Sequence, residues 1–211
     1  MMRRLITTFL LLWPTVTFGG ATDPAELLAR IARPAPATTP FVEVRFSGLL
    51  ATPLVVSGEL QYRSADILGR RIDHPYHEQM EISGGNVTVT RESEAPRHFS
   101  LKRVPELRGM LSAFGAILGG DRSALERYFT LGLTSEDDSW TLVLTPRDDR
   151  ARKRLREVVI TGRADTPRCL TLTETDGDSS VMLLADTAAA GTLPHPPELA
   201  LLDKLCRNPA R

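Results

Sequence analysis

One apolar helical segment, residues 104–129, interrupts a sequence that otherwise alternates polar and apolar residues as β-strands do. Its apolar side chains recur at intervals of three and four, which places them in one stripe along a helical face. The stripe consists of Leu107, Met110, Leu111, Phe114, Ile117 and Leu118, and Gly119-Gly120 ends it. Ser123 and Glu126 have the spacing of a capping box and predict a second short helix. Helices set among strands must cover either a dry core or a cavity that holds a ligand.

The strands around this segment are predicted from a period of two in the sequence. Apolar residues alternate with polar ones at Val42, Val44 and Phe46, at Gly58, Leu60 and Tyr62, and at Trp140, Leu142 and Leu144. Such alternation gives a sheet with one apolar and one polar face. We count roughly nine to eleven strands in an antiparallel meander, with a short helix near each end of the chain. Because only helices are available to cover the apolar face, the predicted fold class is α+β: a strongly curved antiparallel sheet, or incomplete β-barrel, closed by short helices.

The N-terminus has the layout of a cleavable secretory signal. Arg3 and Arg4 precede an apolar run, residues 5–16, and small residues follow up to Ala21. We expect residues 1–21 to be a signal peptide, with an uncleaved anchor as the alternative, and residues 22–211 to form a single domain. An exported chain can form disulfides, so Cys169 and Cys206 are a possible pair that would tie the C-terminal helix to a strand. Their spacing alone does not decide whether they meet.

Composition and motifs argue against several functional classes. The chain has 26 basic and 26 acidic residues, which is unlike the footprint of a nucleic-acid binder. Its basic cluster, residues 147–156, contains acidic residues and predicts a solvated turn, or else a contact with an acidic partner or an anionic membrane. No nucleophile elbow, phosphate-binding loop or dinucleotide-binding glycine pattern is present. His74 and His77 flank a proline, and Asp176 and Asp178 flank a turn glycine, so neither pair predicts a metal site. We therefore expect that the protein is not an enzyme and that it binds neither a metal nor a cofactor.

Two strand motifs, in a fixed order around the helical insert, carry a resemblance to a known family. The first is Gly-Glu-Leu-Gln-Tyr at residues 58–62, and the second is Trp-Thr-Leu-Val-Leu-Thr-Pro at residues 140–146. With the late turn at residues 176–180, their order and spacing over residues 25–186 resemble the periplasmic outer-membrane lipoprotein carriers, the LolA-like family, and in particular its divergent LolA-related branch. The resemblance implies a periplasmic location and an incomplete β-barrel whose helical lid covers an apolar concavity for acyl chains.

One departure from the family pattern concerns the residues after the first motif. The classical carriers continue with Lys-Arg-Pro, whereas this chain reads Arg63-Ser64-Ala65. Arg63 can stand for the first basic residue, but the arginine used in the carriers' release and gating step aligns with Ser64. This departure favours a related cargo, such as a glycolipid, a polyene lipid or another acylated molecule, over classical lipoprotein trafficking.

The resemblance predicts a monomeric periplasmic carrier that binds the acyl chain or chains of a lipoprotein or lipid in an apolar cavity. It would take its cargo from an inner-membrane transporter and deliver it to an outer-membrane receptor. Ten residues are predicted to form the cavity wall and lid, although each of them also fits a filled core: Phe46, Leu60, Tyr62, Leu107, Met110, Leu111, Phe114, Trp140, Leu142 and Leu144. The alternatives are a non-enzymatic envelope-assembly accessory protein that acts through protein–protein contact with a filled core, and an enzyme that modifies envelope lipids.

Overall fold

The computed structural model describes residues 23–64, 66–103, 114–189 and 193–207. Within these residues, eleven strands form one sheet, and short helices precede, interrupt and follow it. The strands are β1 (Ala37–Phe46), β2 (Leu54–Ser64), β3 (Ile67–His74), β4 (Glu78–Ser83), β5 (Asn86–Arg91), β6 (Arg97–Ser100), β7 (Phe129–Glu136), β8 (Ser139–Pro146), β9 (Leu155–Arg163), β10 (Thr166–Glu174) and β11 (Ser179–Leu184). The helices are α1 (Pro24–Ile31), α2 (residues 114–119), α3 (Arg122–Glu126), α4 (Asp149–Arg152), α5 (Asp186–Ala189) and α6 (Leu199–Arg207), and a 3₁₀ turn spans Leu101–Arg103.

The sheet is a meander whose two halves meet at the first and last strands. Its order is β6-β5-β4-β3-β2-β1-β11-β10-β9-β8-β7, and the described strand pairs are all antiparallel. β6 and β7 lie at the two edges and do not pair with each other, so the sheet is not closed. The predicted fold class, α+β with a curved and incomplete antiparallel barrel, is confirmed.

Both faces of the sheet carry apolar clusters. On the concave face, side chains from β1, β2, β3 and β7 to β11 contact α1, α2 and α3 and form the largest cluster. On the convex face, Val44, Val181 and Leu183 contact Leu202 of α6. A third, smaller cluster lies on the concave side of β3, β4 and β5. Helices therefore cover both faces, with α1, α2 and α3 on the concave side and α5 and α6 on the convex side.

The first motif has a backbone reason for its glycine. A Cβ at Gly58 would lie 1.8 Å from the carbonyl oxygen of Arg71, because a register shift between Ser57 and Gly58 brings β2 and β3 together. No side chain can be accommodated there without moving the neighbouring strand, since real Cβ atoms essentially never approach another atom so closely.

Helix α1 is fixed by its start and by its apolar side. The Asp23 side chain accepts a hydrogen bond from the Ala25 amide, and Pro24 occupies the first helical turn. Leu27, Leu28 and Ile31 are buried in the concave cluster. The spacing of four between Leu27 and Ile31 puts both residues on the side of α1 that contacts the sheet.

Cys169 of β10 and Cys206 of α6, which are 37 positions apart in the sequence, form a disulfide with 5.5 Å between their Cα atoms. Both lie in the convex-face cluster. The bond therefore fastens α6 to the convex face, and the possible pairing of these two cysteines is confirmed. Leu199, at the start of α6, is exposed.

The proline-rich residues 34–40 are partly strand, since β1 begins at Ala37 and residues 37–40 pair with β2. The predicted capping box of α3 is wrong. The N-cap of α3 is Asp121 and not Ser123. The Asp121 carboxylate accepts hydrogen bonds from the Ala124 amide and from the Ser123 hydroxyl, so the charged acceptor two residues earlier takes the capping position.

Candidate functional site

The concave face is apolar across the five strands of the C-terminal half, β7 to β11. We call this region the apolar half. Its buried members are Phe129, Trp140, Leu142, Leu144, Val158, Ile160, Leu170 and Met182. Leu125 of α3 and Ile117 of α2 contact them from the concave side. An apolar surface of this kind, covered by short helices, could hold an acyl chain if the helices moved.

Trp140 is anchored at one end of the apolar half. Its indole Nε1 donates a hydrogen bond to the Ala164 carbonyl oxygen at 2.9 Å. Its ring occupies the space over Gly162 on the paired strand, where an added Cβ would lie 2.1 Å from the ring. Leu142 and Leu144 follow on the same face and are also buried. The structure thus places all three predicted wall residues of β8 on the concave side.

Three further predicted residues also lie on this side. Leu60 and Phe114 are half-buried against the concave cluster. The Tyr62 hydroxyl would lie 3.3 Å from a Cβ on Gly119, so this side chain reaches the end of α2. The backbone of α2 is tied to α1, because the Arg33 amide donates to the Leu118 carbonyl oxygen at 2.9 Å.

The structure places Phe46 elsewhere, which corrects the prediction that it lies in the concave wall. Phe46 contacts the convex-face cluster around Val44 and the disulfide. It also lines an open cleft of about 270 Å³ beside the β1–β2 loop and Gly177, and no other predicted wall residue contributes to that cleft. Leu107, Met110 and Leu111 lie outside the described residues.

A charged group interrupts the concave face in the N-terminal half of the sheet. We call it the arginine cluster, and it consists of Glu43, Arg45, Arg70, Glu78 and Arg91. Glu43 accepts hydrogen bonds from Arg45, at 3.0 Å, and from Arg70. Glu78 accepts one from Arg91 at 2.6 Å. Among the described residues, Glu43 is the one charged residue classed as buried.

Strand register explains why these side chains share a face with the apolar residues. Glu43 is opposite Val56, and Arg70 is opposite Leu60, so each charged residue has a concave-face partner. Arg70 also lies over the ring of Phe41, with its guanidinium carbon 4.9 Å from the ring centroid. This contact joins the arginine cluster directly to the apolar surface.

The pKa values of the two arginines that share Glu43 are shifted in opposite directions. Burial lowers the pKa of Arg70, and the neighbouring charge of Arg45 lowers it further, against the attraction of Glu43. Burial also acts to lower the pKa of Arg45, but the hydrogen bond and charge of Glu43 outweigh it and leave this pKa raised. Both groups stay protonated at neutral pH, because an arginine pKa starts far above 7.

The arginine cluster was missed because the sequence assigned the wrong face of β1 to the concavity. Phe41, Val42, Val44 and Phe46 are all apolar, so two opposite alternations fit the strand. The alternation through Val44 and Phe46 leaves Glu43 and Arg45 in solvent, whereas the structure buries Phe41 with Glu43 on the concave side. Phe41, which alternates in step with Glu43 and Arg45, was the sequence signal that this side of β1 faces the concavity.

Ser64 and Arg63, which follow the first motif, each have a carboxylate partner. The Ser64 hydroxyl donates to the Asp66 carboxylate at 2.6 Å at the end of β2. Arg63 is exposed and pairs with Glu81 at 2.9 Å on the convex side.

In the described part of the chain, no group of three or more metal-ligating side chains comes together. No helix among these residues has the length and apolar character needed to span a membrane.

Comparison with known proteins gives a family and several distant structural likenesses. A family described as outer membrane lipoprotein carrier protein LolA-like matches residues 18–209. A LolA superfamily protein from Nitrosomonas europaea is 14% identical, with 79% of this chain and 93% of that chain covered and a TM-score of 0.41. LprF from Mycobacterium bovis is 13% identical, with coverages of 85% and 99% and a TM-score of 0.35. A DUF1329 family protein from Desulfovibrio piger is 13% identical, with coverages of 85% and 97% and a TM-score of 0.40. No curated protein matches the chain in sequence.

Proposed function

The chain belongs to the outer membrane lipoprotein carrier (LolA-like) family, and from this we propose that it is a periplasmic carrier for an acylated lipoprotein or lipid. Members of this family are carriers and not enzymes. The acyl chain or chains would lie against the concave face while the cargo moves from the inner to the outer membrane. The observation that supports this role is the apolar half, a continuous apolar surface of β7 to β11 under short helices.

Burial of the acyl chain would supply the binding energy. Each methylene removed from water contributes about 0.8 kcal/mol, so a sixteen-carbon chain could contribute roughly 10 kcal/mol before ordering costs. A carrier with that affinity releases its cargo slowly, because most affinity differences appear in the dissociation rate. Release therefore needs a movement of the cover or the help of a receptor.

We propose that the helical insert is the movable cover. Its described part, α2, contacts the concave cluster through Phe114 and Ile117 and ends at Gly120, whose φ of 70° breaks the helix. Gly120 also lies close against α1, since a Cβ there would be 3.1 Å from the Ala32 side chain. Opening α2 about this end would expose the apolar half without unpairing any strand.

We further propose how the protein is exported and which proteins give and receive its cargo. Residues 1–21 would direct export and residues 22–211 would form the carrier domain, acting as a monomer. An inner-membrane transporter would be the donor, and an outer-membrane receptor would be the acceptor. The serine at position 64, bonded to Asp66, and the pairing of Arg63 with Glu81 support a release step that differs from the arginine-gated step of classical carriers.

Native mass spectrometry of the protein purified from the periplasm tests the carrier role. We expect co-purified acyl species in the wild type and their loss in Phe114→Asp, because a carboxylate on the concave side would be desolvated by bound acyl chains. Leu49→Asp is the matched control, since Leu49 is 96% exposed and belongs to none of the apolar clusters. Thermal melts of both variants would establish that each is folded.

Two results would count against the proposal. A wild-type protein that carries no acyl species and takes none up from added palmitate would contradict the carrier role and favour an accessory protein with a filled core. Equal acyl loading of folded Phe114→Asp and wild type would remove α2 from the proposed binding site.

A further inference from the structure

The arginine cluster contributes less to the stability of the fold than apolar side chains at the same positions would. Charged groups withdrawn from water lose hydration, and even a well-formed buried pair only roughly offsets that loss. Apolar side chains at the same concave positions would extend the surrounding apolar surface. Instead, the Glu43 side chain is 9% exposed and that of Arg70 is 15% exposed, beside a surface that an apolar ligand would occupy.

The pairing within the cluster leaves positive charge in excess around Glu43. Arg45 and Arg70 both use this one carboxylate, and among the described residues no other acid lies within ion-pair distance of either arginine. Glu78 pairs with Arg91 at 2.6 Å, Arg91 also lies 4.0 Å from Glu94, and the charge of Glu78 acts on Arg45 and Arg70 from beyond ion-pair distance. Arg45 and Arg70 therefore share one directly paired carboxylate between them.

The excess charge is accessible as well as adjacent to the apolar surface. The Arg45 side chain is 37% exposed, so its remaining donors can meet a ligand from solvent. Arg70 lies over Phe41, which is buried in the concave cluster. A ligand that follows the concave face would thus pass from apolar side chains to two guanidinium groups within the reach of one head group.

We propose that Arg45 and Arg70 bind the anionic head group, a phosphate or a carboxylate, of the acylated molecule held against the concave face. This inference rests on the proposed carrier function and narrows its cargo to anionic amphiphiles. Guanidinium groups suit such anions because they offer planar pairs of donors to two oxygens at once. Glu43 holds both arginines in place, and Phe41 marks the boundary between the head group and the acyl chain.

Competition between two lipids with the same acyl chain tests the inference. Palmitoyl lysophosphatidate and monopalmitoylglycerol differ by the phosphate alone, and native mass spectrometry of the full-length mature protein measures their relative occupancy. We expect the wild type to prefer the phosphorylated lipid by roughly tenfold, as for charge-assisted hydrogen bonds in a partly desolvated site. Arg45→Gln and Arg70→Gln should each lose most of this preference and still bind monopalmitoylglycerol.

Arg71→Gln is the matched control. Arg71 follows Arg70 on β3, but its side chain lies on the convex side and pairs with Glu59 and Asp73. The variant has the same change in charge and should keep the wild-type preference. If Arg70→Gln does not fold, Arg45→Gln decides the question, because its side chain is far less buried.

Each remaining outcome would overturn the head-group site, and the outcomes differ in what they say about the carrier role. Equal binding of the two lipids by the wild type, or an unchanged preference in folded Arg45→Gln, would overturn the head-group site and leave the carrier role intact. Failure to bind either lipid would contradict the carrier role and the head-group site together. Inorganic phosphate that binds as tightly as palmitoyl lysophosphatidate would show a free-anion site and overturn the assignment to a lipid head group.

Discussion

The two halves of the concave face are built from the same antiparallel strands but differ in chemistry. In the apolar half, Leu142 and Leu144 are buried among other apolar side chains under α1, α2 and α3. In the N-terminal half, the arginine cluster places Glu43 and Arg70 among apolar neighbours on the same face. One surface is thus divided into an apolar region and a region that carries charge.

The difference shows which interactions set stability and which set selectivity. Apolar contacts gain from burial whatever their exact partners, so the apolar half can stabilise the fold and accept varied acyl chains. Buried ion pairs contribute little net stability but impose a defined charge pattern. We therefore expect substitutions in the apolar half to change the free energy of unfolding most, and those in the arginine cluster to change ligand preference more than stability.

The largest effect is expected from Leu142→Ala. Leu142 is fully buried at the centre of the apolar half, and truncation of such a leucine costs about 2–5 kcal/mol of unfolding free energy. Chemical denaturation measures the change. Leu49→Ala, at an exposed position, should stay within about 0.5 kcal/mol of the wild type. A cost below about 1 kcal/mol for Leu142→Ala would indicate that this side chain already borders empty space.

Gly162→Ala should have the next largest effect. The added methyl would lie 2.1 Å from the Trp140 ring and 2.6 Å from the Thr166 carbonyl oxygen, so the ring must leave its place. Overpacking of this kind costs about 1–3 kcal/mol. Gly132→Ala on β7 is the control, because its added methyl would meet only Val143, at 3.8 Å. Equal melting temperatures for the two variants would contradict the proposed support of Trp140 by Gly162.

A smaller loss of stability is expected from Glu43→Gln. The change leaves Arg45 and Arg70 facing each other without a carboxylate, but the amide still accepts a hydrogen bond, so we expect a cost of about 1–2 kcal/mol. Glu81→Gln, which weakens the exposed pair with Arg63, should cost about 0.5 kcal/mol or less. A cost for Glu43→Gln as small as that of Glu81→Gln would mean that Glu43 contributes little to holding Arg45 and Arg70.

The contrast between the two halves also explains how far the sequence could predict this molecule. Trp140, Leu142 and Leu144 alternate with Thr141, Val143 and Thr145, and the single consistent alternation placed β8 correctly. β1 lies at the centre of the sheet with a cluster on each face, so its apolar residues fall on both sides and the alternation is ambiguous. The error over Phe46 and the omission of Glu43 both follow from that ambiguity.

The ion pairs and the disulfide depend on contacts between distant parts of the chain, which spacing does not encode. Arg70 and Glu43 are 27 residues apart and lie on strands separated by β2. Cys169 and Cys206 meet only because α6 folds back over the convex face. Local patterns predicted the antiparallel meander and its cover by helices, and the family resemblance added the interpretation of the concave face as a place for acyl chains.

The smallest effect is a pH dependence at the cover of the apolar half. Hydrogen bonds from the Ala124 amide and the Ser123 hydroxyl hold the pKa of Asp121 below its ordinary value. Because the folded-state pKa is the lower one, Asp121 stabilises α3 above the ordinary aspartate pKa, and this contribution is lost as the pH falls through the folded-state value. Asp121→Ala should therefore melt below the wild type at pH 7, and the difference should shrink as the pH falls below the ordinary aspartate pKa of about 4. A difference that stays constant over this range would mean that the cap acts through helix geometry alone and not through its charge.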